Sequence, residues 1–203
     1  MNVVRPARLI SGAAGTTVHA IQSPALGYIE FTVLDPIGDL DLLHEWVTRR
    51  SSRFWGLAAL TRGELRDLYL HVDGLPSHHA FLIRRDGLPI ALLQTYEPEN
   101  DPLGEVYDVE PGDAGIHFLL GDRGGPVRGF TTHVGSMIFE FLFARSEVDR
   151  IVIEPDIGNG RALDRVRALG FDLGPHVELP GKTGQLAFLT RDRWDQLRGA
   201  TPK

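Results

Sequence analysis

The residues best suited to binding a charged ligand lie in a glycine-rich loop, residues 121–129, with the sequence GDRGGPVRG. An amphipathic helix pattern follows, with Val134, Met137, Ile138, Phe141 and Leu142 on one face. Free N–H groups at the start of a helix attract phosphate, and the two arginines of the loop would add positive charge. The loop lacks the Gly-Lys-Ser/Thr ending of a nucleotide P-loop and the dinucleotide fingerprint. From the residues alone, a pyrophosphate site and a simple tight turn both remain possible.

A histidine and an aspartate are the candidates for acid–base chemistry. His117 alternates with Ile116 and Phe118 in an apolar run, so its side chain is expected on the opposite face of a strand. Asp156 belongs to a Glu-Pro-Asp turn that follows a second strand, residues 149–153. If these strands are parallel neighbours, both side chains lie near the carboxyl ends, where open α/β sheets bind ligands. Without further information, a core histidine and a turn or cap aspartate are the alternative interpretations.

The patterns along the rest of the chain predict the elements that position these residues. Strands are expected at 28–34, 78–84, 89–96, 114–120, 149–153, 171–179 and 186–190. Helices are expected from Asp39, from Thr61 with Glu64 as a capping box, over the 134–142 face, from an Asn159 cap to Leu169, and at 191–198. The segment 97–113 is a long acidic loop, and residues 180–184 connect the last two strands. This order predicts an α/β fold with a mixed central sheet of about seven strands flanked by helices.

The same patterns predict the domain organisation. Residues 1–27 show no firm period and are rich in Gly, Ala, Ser and Thr, which indicates a loose N-terminal extension. Residues 28–203 contain no internal linker and are expected to form a single domain.

Composition narrows the class of protein. The 203 residues carry a formal charge of −6, so nucleic acid is not an expected partner. The absence of cysteine excludes disulfides, thiolate metal sites and a cysteine nucleophile. No metal site is expected, because His78 and His79 point to opposite faces of one strand. No apolar run reaches membrane-spanning length and no signal peptide is visible, so a cytoplasmic protein without a membrane partner is expected.

Several motifs together resemble a known family. They are GIHFLL, the loop ending RGF, RIVIEPDIGNGRAL, ALGF and ELPGKTGQLAF, with a middle section from HHAFLIRRDG to EPGDAGIH. The element order resembles the Gcn5-related N-acetyltransferases. The motifs are similar to the siderophore-biosynthesis acyltransferases, which include the aerobactin hydroxylysine acetyltransferases and the mycobactin lysine acyltransferases. Two departures stand out, because Thr131 follows the loop where glycine is usual and Gln94 replaces a frequent glutamate.

The resemblance implies transfer of an acyl group from acetyl-CoA or another acyl-CoA to a small-molecule amine or N-hydroxyamine, by a monomer or homodimer. It implies catalytic roles for His117 and Asp156. The implied acyl-CoA contacts are Phe118 and Leu119 at the thioester, Arg123, Gly125, Arg128, Gly129, Phe130 and Thr131 at the pyrophosphate, and Asn159, which is also the expected helix cap. The implied acceptor contacts are Trp55, Gln94, Tyr96, Tyr107, Asp108 and Lys182, the lysine meeting a carboxylate or a CoA phosphate.

Base strength favours one class of acceptor. A free alkylamine, like lysine, has a pKa of about 10.4 and must lose a proton before it attacks. An N-hydroxyamine is far less basic and is already neutral near pH 7, which suits a weak aspartate–histidine pair. The sequence therefore favours an N-acyltransferase acting on hydroxylysine-, hydroxyornithine- or hydroxycadaverine-type acceptors in siderophore or related hydroxamate biosynthesis. An aminoglycoside-type or general amine N-acetyltransferase and a non-catalytic acyl-CoA-binding protein are the alternatives.

Overall fold

Eight strands form one mixed sheet in the computed structural model, which describes residues 7–122, 125 and 127–200. The strands are β1 (Thr17–Ser23), β2 (Gly27–Val33), β3 (His78–Arg85), β4 (Leu88–Tyr96), β5 (Asp113–Leu120), β6 (Arg150–Ile153), β7 (Asp172–Leu179) and β8 (Lys182–Thr190). Their order is β1-β2-β3-β4-β5-β6-β8-β7. The pair β5–β6 is parallel, whereas β1–β2, β2–β3, β6–β8 and β7–β8 are antiparallel. The expected α/β fold with a mixed sheet is confirmed.

The helices lie where the apolar periods predict them. They are α1 (Leu40–Thr48), α2 (Arg62–Asp73), α3 (Phe130–Phe143), α4 (Gly160–Ala168) and α5 (Arg191–Ala200). The predicted capping box starts α2, because Thr61 and Glu64 exchange hydrogen bonds with each other's backbone N–H. The predicted cap of α4 is also present, since Asn159 Oδ1 accepts from the backbone N–H of Ala162 at 3.3 Å.

The chain divides into two compact units. The first comprises the described residues of Met1–Ile10, Tyr96–Ile116 and Val134–Lys203, and the second comprises Ser11–Thr95 and His117–His133. His117 therefore belongs to the second unit, and Asp156 belongs to the first.

The number of strands corrects the expectation of about seven. The additional strand, β1, lies inside the segment expected to be a loose extension and pairs with β2 from Thr17↔Thr32 to Ser23↔Gly27. Its side chains are exposed or half-buried throughout, so the segment carries little apolar signal. Backbone pairing with β2 holds this edge strand. The expectation that residues 17–23 are irregular is therefore wrong. The domain boundary at residue 28 stays a prediction.

The connection between the last two strands is also shorter than expected. Lys182 already pairs with Leu179 at the start of β8, which leaves a two-residue turn, Pro180 and Gly181. Gly181 has φ 82°, a left-handed conformation that glycine adopts without steric cost. The long acidic loop is ordered by two short 3₁₀ helices, Pro98–Asn100 and Pro102–Glu105, each begun by a proline.

A buried cluster in the second unit supports the end of β5. Trp46 of α1 and Leu65 and Tyr69 of α2 pack with Leu82 and Leu92 of the sheet. Burying each such side chain contributes about 1.5–3 kcal/mol before entropy is counted. The half-buried side chains of Trp55 and Leu119 pack against the same cluster. The core thus brings the segment before α2 to the carboxyl-terminal half of β5.

Candidate active site

The imidazole of His117 lies against the indole of Trp55. The two ring centroids are 6.3 Å apart and the planes meet at 79°, an edge-to-face contact. Trp55 ends a short 3₁₀ helix, Arg50–Trp55, which Gly56 terminates with φ 80°. Both side chains are half-buried, so the pair has access to solvent.

Tyr69 connects Trp55 with Gln94. Its phenol oxygen accepts a hydrogen bond from the indole N–H of Trp55 and another from Gln94 Nε2 at 3.3 Å. The side chain is only 1% exposed, and burial raises the pKa of Tyr69 far above its usual range. We call Trp55, Tyr69, Gln94 and His117 the tyrosine cluster. Three of its four members are predicted site residues, and all four lie in the second unit.

Sequence reasoning assigned Tyr69 only to the buried face of α2. The available signal was its type, since a buried tyrosine carries a hydroxyl that needs a hydrogen-bond partner. Periodicity identified the buried face but could not identify the partners, which come from two distant parts of the chain.

Contacts with α1 and the residue after it fix the first two residues of the glycine loop, Gly121 and Asp122. The guanidinium of Arg49, just after α1, donates to both carboxylate oxygens of Asp122 at 3.1 and 3.0 Å. A side chain at Gly121 is excluded, because an added Cβ would lie 2.0 Å from Cζ2 of the buried Trp46. Arg128 and Gly129 are exposed further along the loop, as is Gly125. Arg123 lies outside the described residues, so its predicted phosphate contact stays a prediction.

The first turn of α3 is suited to an anion. Phe130 is buried and anchors the turn, and the first i to i−4 bond runs from His133 N to Gly129 O at 3.0 Å. Residues before that bond, Thr131 and Thr132, carry N–H groups of the kind that helices leave unpaired. No acidic side chain lies in this first turn. The arrangement fits the diphosphate of an acyl-CoA, with Arg128 as the described cation of the loop.

The predicted thioester contacts lie beyond the pairing of β5 with β6. The parallel register covers Asp113–Gly115 of β5, and β6 ends at Ile153. Phe118 and Leu119 follow this paired stretch and are half-buried. Their predicted contact with the thioester oxygen stays a prediction.

Asp156 occupies a closely bonded turn in the first unit. Its Oδ1 accepts from the backbone N–H of Gly158 at 2.6 Å, and its carbonyl accepts from Asn159 N at 2.9 Å. An isolated bridge joins Asp156 to Gly184. Asp156 thus lies in a turn, as the Glu-Pro-Asp pattern predicts, and its half-buried carboxylate has a second oxygen that a ligand could reach. Its catalytic role stays a prediction. Whether it faces the same pocket as His117 stays a prediction, because the two belong to different units.

Tyr96 and Lys182, two of the predicted acceptor contacts, both bind a buried carboxylate of the protein. Glu154 Oε2 accepts from the phenol of Tyr96 at 2.9 Å, and Glu154 Oε1 accepts from Lys182 Nζ at 2.9 Å. Tyr96 is 2% exposed, and burial followed by the charge of Glu154 raises its pKa. Lys182 binds Glu154 of the protein, and the predicted contact of Lys182 with a ligand carboxylate or CoA phosphate stays a prediction.

Several acidic side chains of the loop 97–113 form hydrogen bonds or ion pairs within the first unit. Tyr107 donates to Asp113 Oδ2 at 2.8 Å, and burial together with this bond raises the pKa of Tyr107. Arg150 pairs with Asp113 and Glu110, each at 2.7 Å. Asp108 is exposed, and its predicted acceptor contact stays a prediction.

Within the ranges that the structure describes, no group of three or more His, Asp or Glu side chains could hold a metal ion. No helix there is long and apolar enough to cross a membrane.

Comparison with known proteins identifies a matching family and several related proteins. The profile of the Acetyltransferase (GNAT) domain matches residues 35–179. The chain is 25% identical to the N(6)-hydroxylysine O-acetyltransferase of Escherichia coli over 80% of this chain and 52% of that protein. It is 27% identical to the N-hydroxyputrescine acetyltransferase of Acinetobacter baumannii over 60% of this chain and 58% of that protein. The chain thus spans little more than half the length of these curated relatives.

A solved structure agrees in fold. The aminoglycoside acetyltransferase AAC(6′)-Ib in complex with coenzyme A superposes with a TM-score of 0.72 and 25% identity. The match covers 84% of this chain and 99% of that one. With the family profile, this confirms the predicted acetyltransferase fold.

Proposed function

Because the chain belongs to the GNAT acetyltransferase family, we propose that it is an acyl-CoA-dependent N-acyltransferase acting on a small N-hydroxyamine or amine in hydroxamate siderophore biosynthesis. The relatives named for hydroxylysine and hydroxyputrescine support this acceptor class. A cytoplasmic location and a monomer or homodimer belong to the same proposal.

The observation that carries the proposal is the edge-to-face contact of His117 with Trp55. A half-buried imidazole against an indole is partly shielded from water but still reachable by a ligand. The phenol of Tyr69 accepts from the indole N–H, and the amide of Gln94 donates to the same phenol. Such a wall can pack against the methylene chain of a small amine, while the imidazole accepts or returns a proton at the reacting nitrogen.

The donor is an acyl-CoA, which supplies the acyl group as an activated thioester. The N–H groups of Thr131 and Thr132 and the exposed guanidinium of Arg128 would hold its diphosphate. The Arg49–Asp122 ion pair fixes the start of this loop. Backbone N–H groups at Phe118 and Leu119 are the proposed donors to the thioester oxygen, a role that stabilises developing negative charge.

The proposed role of Asp156 is to orient the acceptor. A carboxylate and an imidazole are weak bases beside an alkylamine, whose pKa is about 10.4. They suit a nucleophile that is already neutral near pH 7, as an N-hydroxyamine is. In this proposal the other carboxylate oxygen of Asp156 accepts a hydrogen bond from the N–O–H group. His117 takes up the proton released as the N–acyl bond forms and the thioester C–S bond breaks, and the same proton can then pass to the departing thiolate of coenzyme A.

A CoA-release assay tests the proposal. A grid of acetyl-, succinyl-, malonyl- and longer acyl-CoAs is combined with hydroxylysine, hydroxyornithine, hydroxycadaverine and hydroxyputrescine, each beside its unhydroxylated parent amine. The hydroxyamines are expected to react faster than their parents at pH 7. Faster reaction of the parent amines would indicate a general amine acetyltransferase, and acyl-CoA binding without release would indicate a non-catalytic binding protein.

A second candidate acceptor is an aminoglycoside, which the AAC(6′)-Ib structures favour because this chain covers 99% of their length. The acidic loop would be the site for such a polycation. However, Glu97 and Glu99 lie against Arg8, and Glu110 and Asp113 bind Arg150. These two arginines offset part of the negative charge of the loop, and kanamycin in the same assay distinguishes the two candidates.

A further inference from the structure

A buried carboxylate, that of Glu154, lies directly before the Pro155–Asp156 turn. Glu154 is 3% exposed and accepts from the phenol of Tyr96 and the ammonium of Lys182, each at 2.9 Å. The same ammonium also donates to the main-chain carbonyl of Glu154 at 2.8 Å. One lysine therefore binds both the side chain and the backbone of the residue that opens the turn.

The neighbouring strand leaves room for the ring of Tyr96. A Cβ at Gly115 would lie 2.2 Å from the ring of Tyr96, so only glycine leaves room for the tyrosine in that position. A buried carboxylate is costly unless it is paired and hydrogen-bonded. The chain meets this requirement from two sides, with Tyr96 at the end of β4 and Lys182 at the start of β8.

The turn itself is bonded to the residues that follow Lys182. Gln185 N donates to the carbonyl of Pro155 at 2.9 Å, and Ile157 N donates to the carbonyl of Thr183 at 3.0 Å. Asp156 lies between these two bonds and bridges to Gly184. The position of the Asp156 carboxylate thus depends on how the start of β8 lies against Glu154.

We propose that Lys182, Glu154 and Tyr96 are positioning residues that hold the Asp156 carboxylate for the acceptor. This inference rests on the proposed function, in which Asp156 orients the acceptor. It assigns Lys182 an internal role instead of a contact with CoA or substrate. A displacement of about 1 Å at a reacting group can cost about 10²-fold in rate, so a single ion pair at this place can control turnover.

The principal variant is Lys182→Met, with Arg191→Met as the matched control. Arg191 lies just past the other end of β8, is also half-buried, and donates to the main-chain carbonyls of Phe143, Arg145 and Val148. Both variants are expected to lower the melting temperature. Only Lys182→Met is expected to lower kcat, by about 10²-fold, with the Kd for acetyl-CoA unchanged. An equal fall of kcat in both variants, or a selective rise of the acetyl-CoA Kd in Lys182→Met, would overturn the proposal.

Two further variants separate positioning from stability. Glu154→Gln/Lys182→Met removes both charges, so it is expected to regain melting temperature relative to Lys182→Met. Its kcat is expected to stay low, because the bond from Lys182 to the Glu154 carbonyl is still missing; recovery of kcat with stability would contradict a positioning role. Lys182→Met/Asp156→Asn is expected to be no slower than Asp156→Asn alone, since groups acting as one unit are non-additive.

Hydrogen exchange keeps the test independent of activity. The amide of Gly158, which donates to Asp156 Oδ1, is expected to exchange about tenfold faster in Lys182→Met and unchanged in Arg191→Met. If the parent protein transfers no acyl group, the proposed function fails while this result still decides the positioning. Unchanged exchange of Gly158 in Lys182→Met would overturn it.

Discussion

The imidazole of His117 stands edge-on to the indole of Trp55, with 6.3 Å between the ring centroids and 79° between the planes. The indole is in turn hydrogen-bonded to the phenol of Tyr69, which also accepts from Gln94. A histidine that the sequence offered as a core residue or an acid–base group is thus part of a half-exposed polar and aromatic site.

Tyr69→Phe tests the tyrosine cluster. The change leaves the Trp55 and Gln94 donors without their buried acceptor, which costs about 1–3 kcal/mol in unfolding free energy. The KM for the acceptor is expected to rise several-fold while the Kd for acyl-CoA is unchanged. Tyr28→Phe is the control, because Tyr28 is 45% exposed on β2. A variant with parent kinetics would show that the cluster only supports the fold.

Asp156→Asn and His117→Ala test the proposed catalytic pair. Loss of acid–base assistance costs about 10²–10⁴-fold in rate, so kcat/KM should fall in each variant while acyl-CoA binding persists. The double variant should be little worse than the slower single one. Near-parent activity in both single variants, or fully multiplicative losses, would show that the two residues do not act together.

Arg128→Ala tests the proposed binding of acyl-CoA at the glycine loop. A bound ligand stabilises the folded state by mass action, so acetyl-CoA should raise the melting temperature of the parent protein. The rise should be smaller in Arg128→Ala and unchanged in Arg66→Ala, an exposed arginine on α2. Equal shifts in all three proteins would exclude Arg128 from the site.

Gly121→Ala tests the start of the same loop. The new methyl group would lie 2.0 Å from the buried ring of Trp46, and such overpacking costs about 1–3 kcal/mol. Gly160→Ala is the control, because its added Cβ would have no heavy atom within 4 Å. Denaturant unfolding should show a loss for the first variant and none for the second. The opposite order would mean that Trp46 moves aside freely.

His79 gives a pH dependence with a definite sign. Burial, and then the nearby charge of His78, lowers the pKa of His79 in the folded state. The unfolded chain, with the ordinary histidine pKa of about 6.5, therefore binds this proton more readily than the folded chain does. As the pH is lowered through this range, the free energy of unfolding decreases. The melting-temperature difference between the parent and His79→Gln should shrink from pH 7.5 to pH 5.5. A constant difference would indicate that His79 titrates alike in both states.

Local patterns predicted most of the elements correctly. The Thr61–Glu64 capping box, the Asn159 cap and the apolar face of α3 depend on neighbours within one or two turns, and all three are found. The missed strand, β1, has half-buried or exposed side chains and is held by backbone bonds to β2. Apolar periodicity cannot report a strand of that kind.

The sequence by itself determined which residues could do chemistry, since His117, Asp156 and the glycine loop follow from residue type and local order. The Glu-Pro-Asp turn and Lys182 could likewise be identified as candidates from the sequence. Only the tertiary structure decided their partners: Lys182 with Glu154, Trp55 with His117, and Tyr69 between Trp55 and Gln94. These contacts join residues that lie 14 to 62 positions apart in the chain. No local rule selects among distant partners, because the choice depends on how strands and helices pack and on which buried charge must be neutralised.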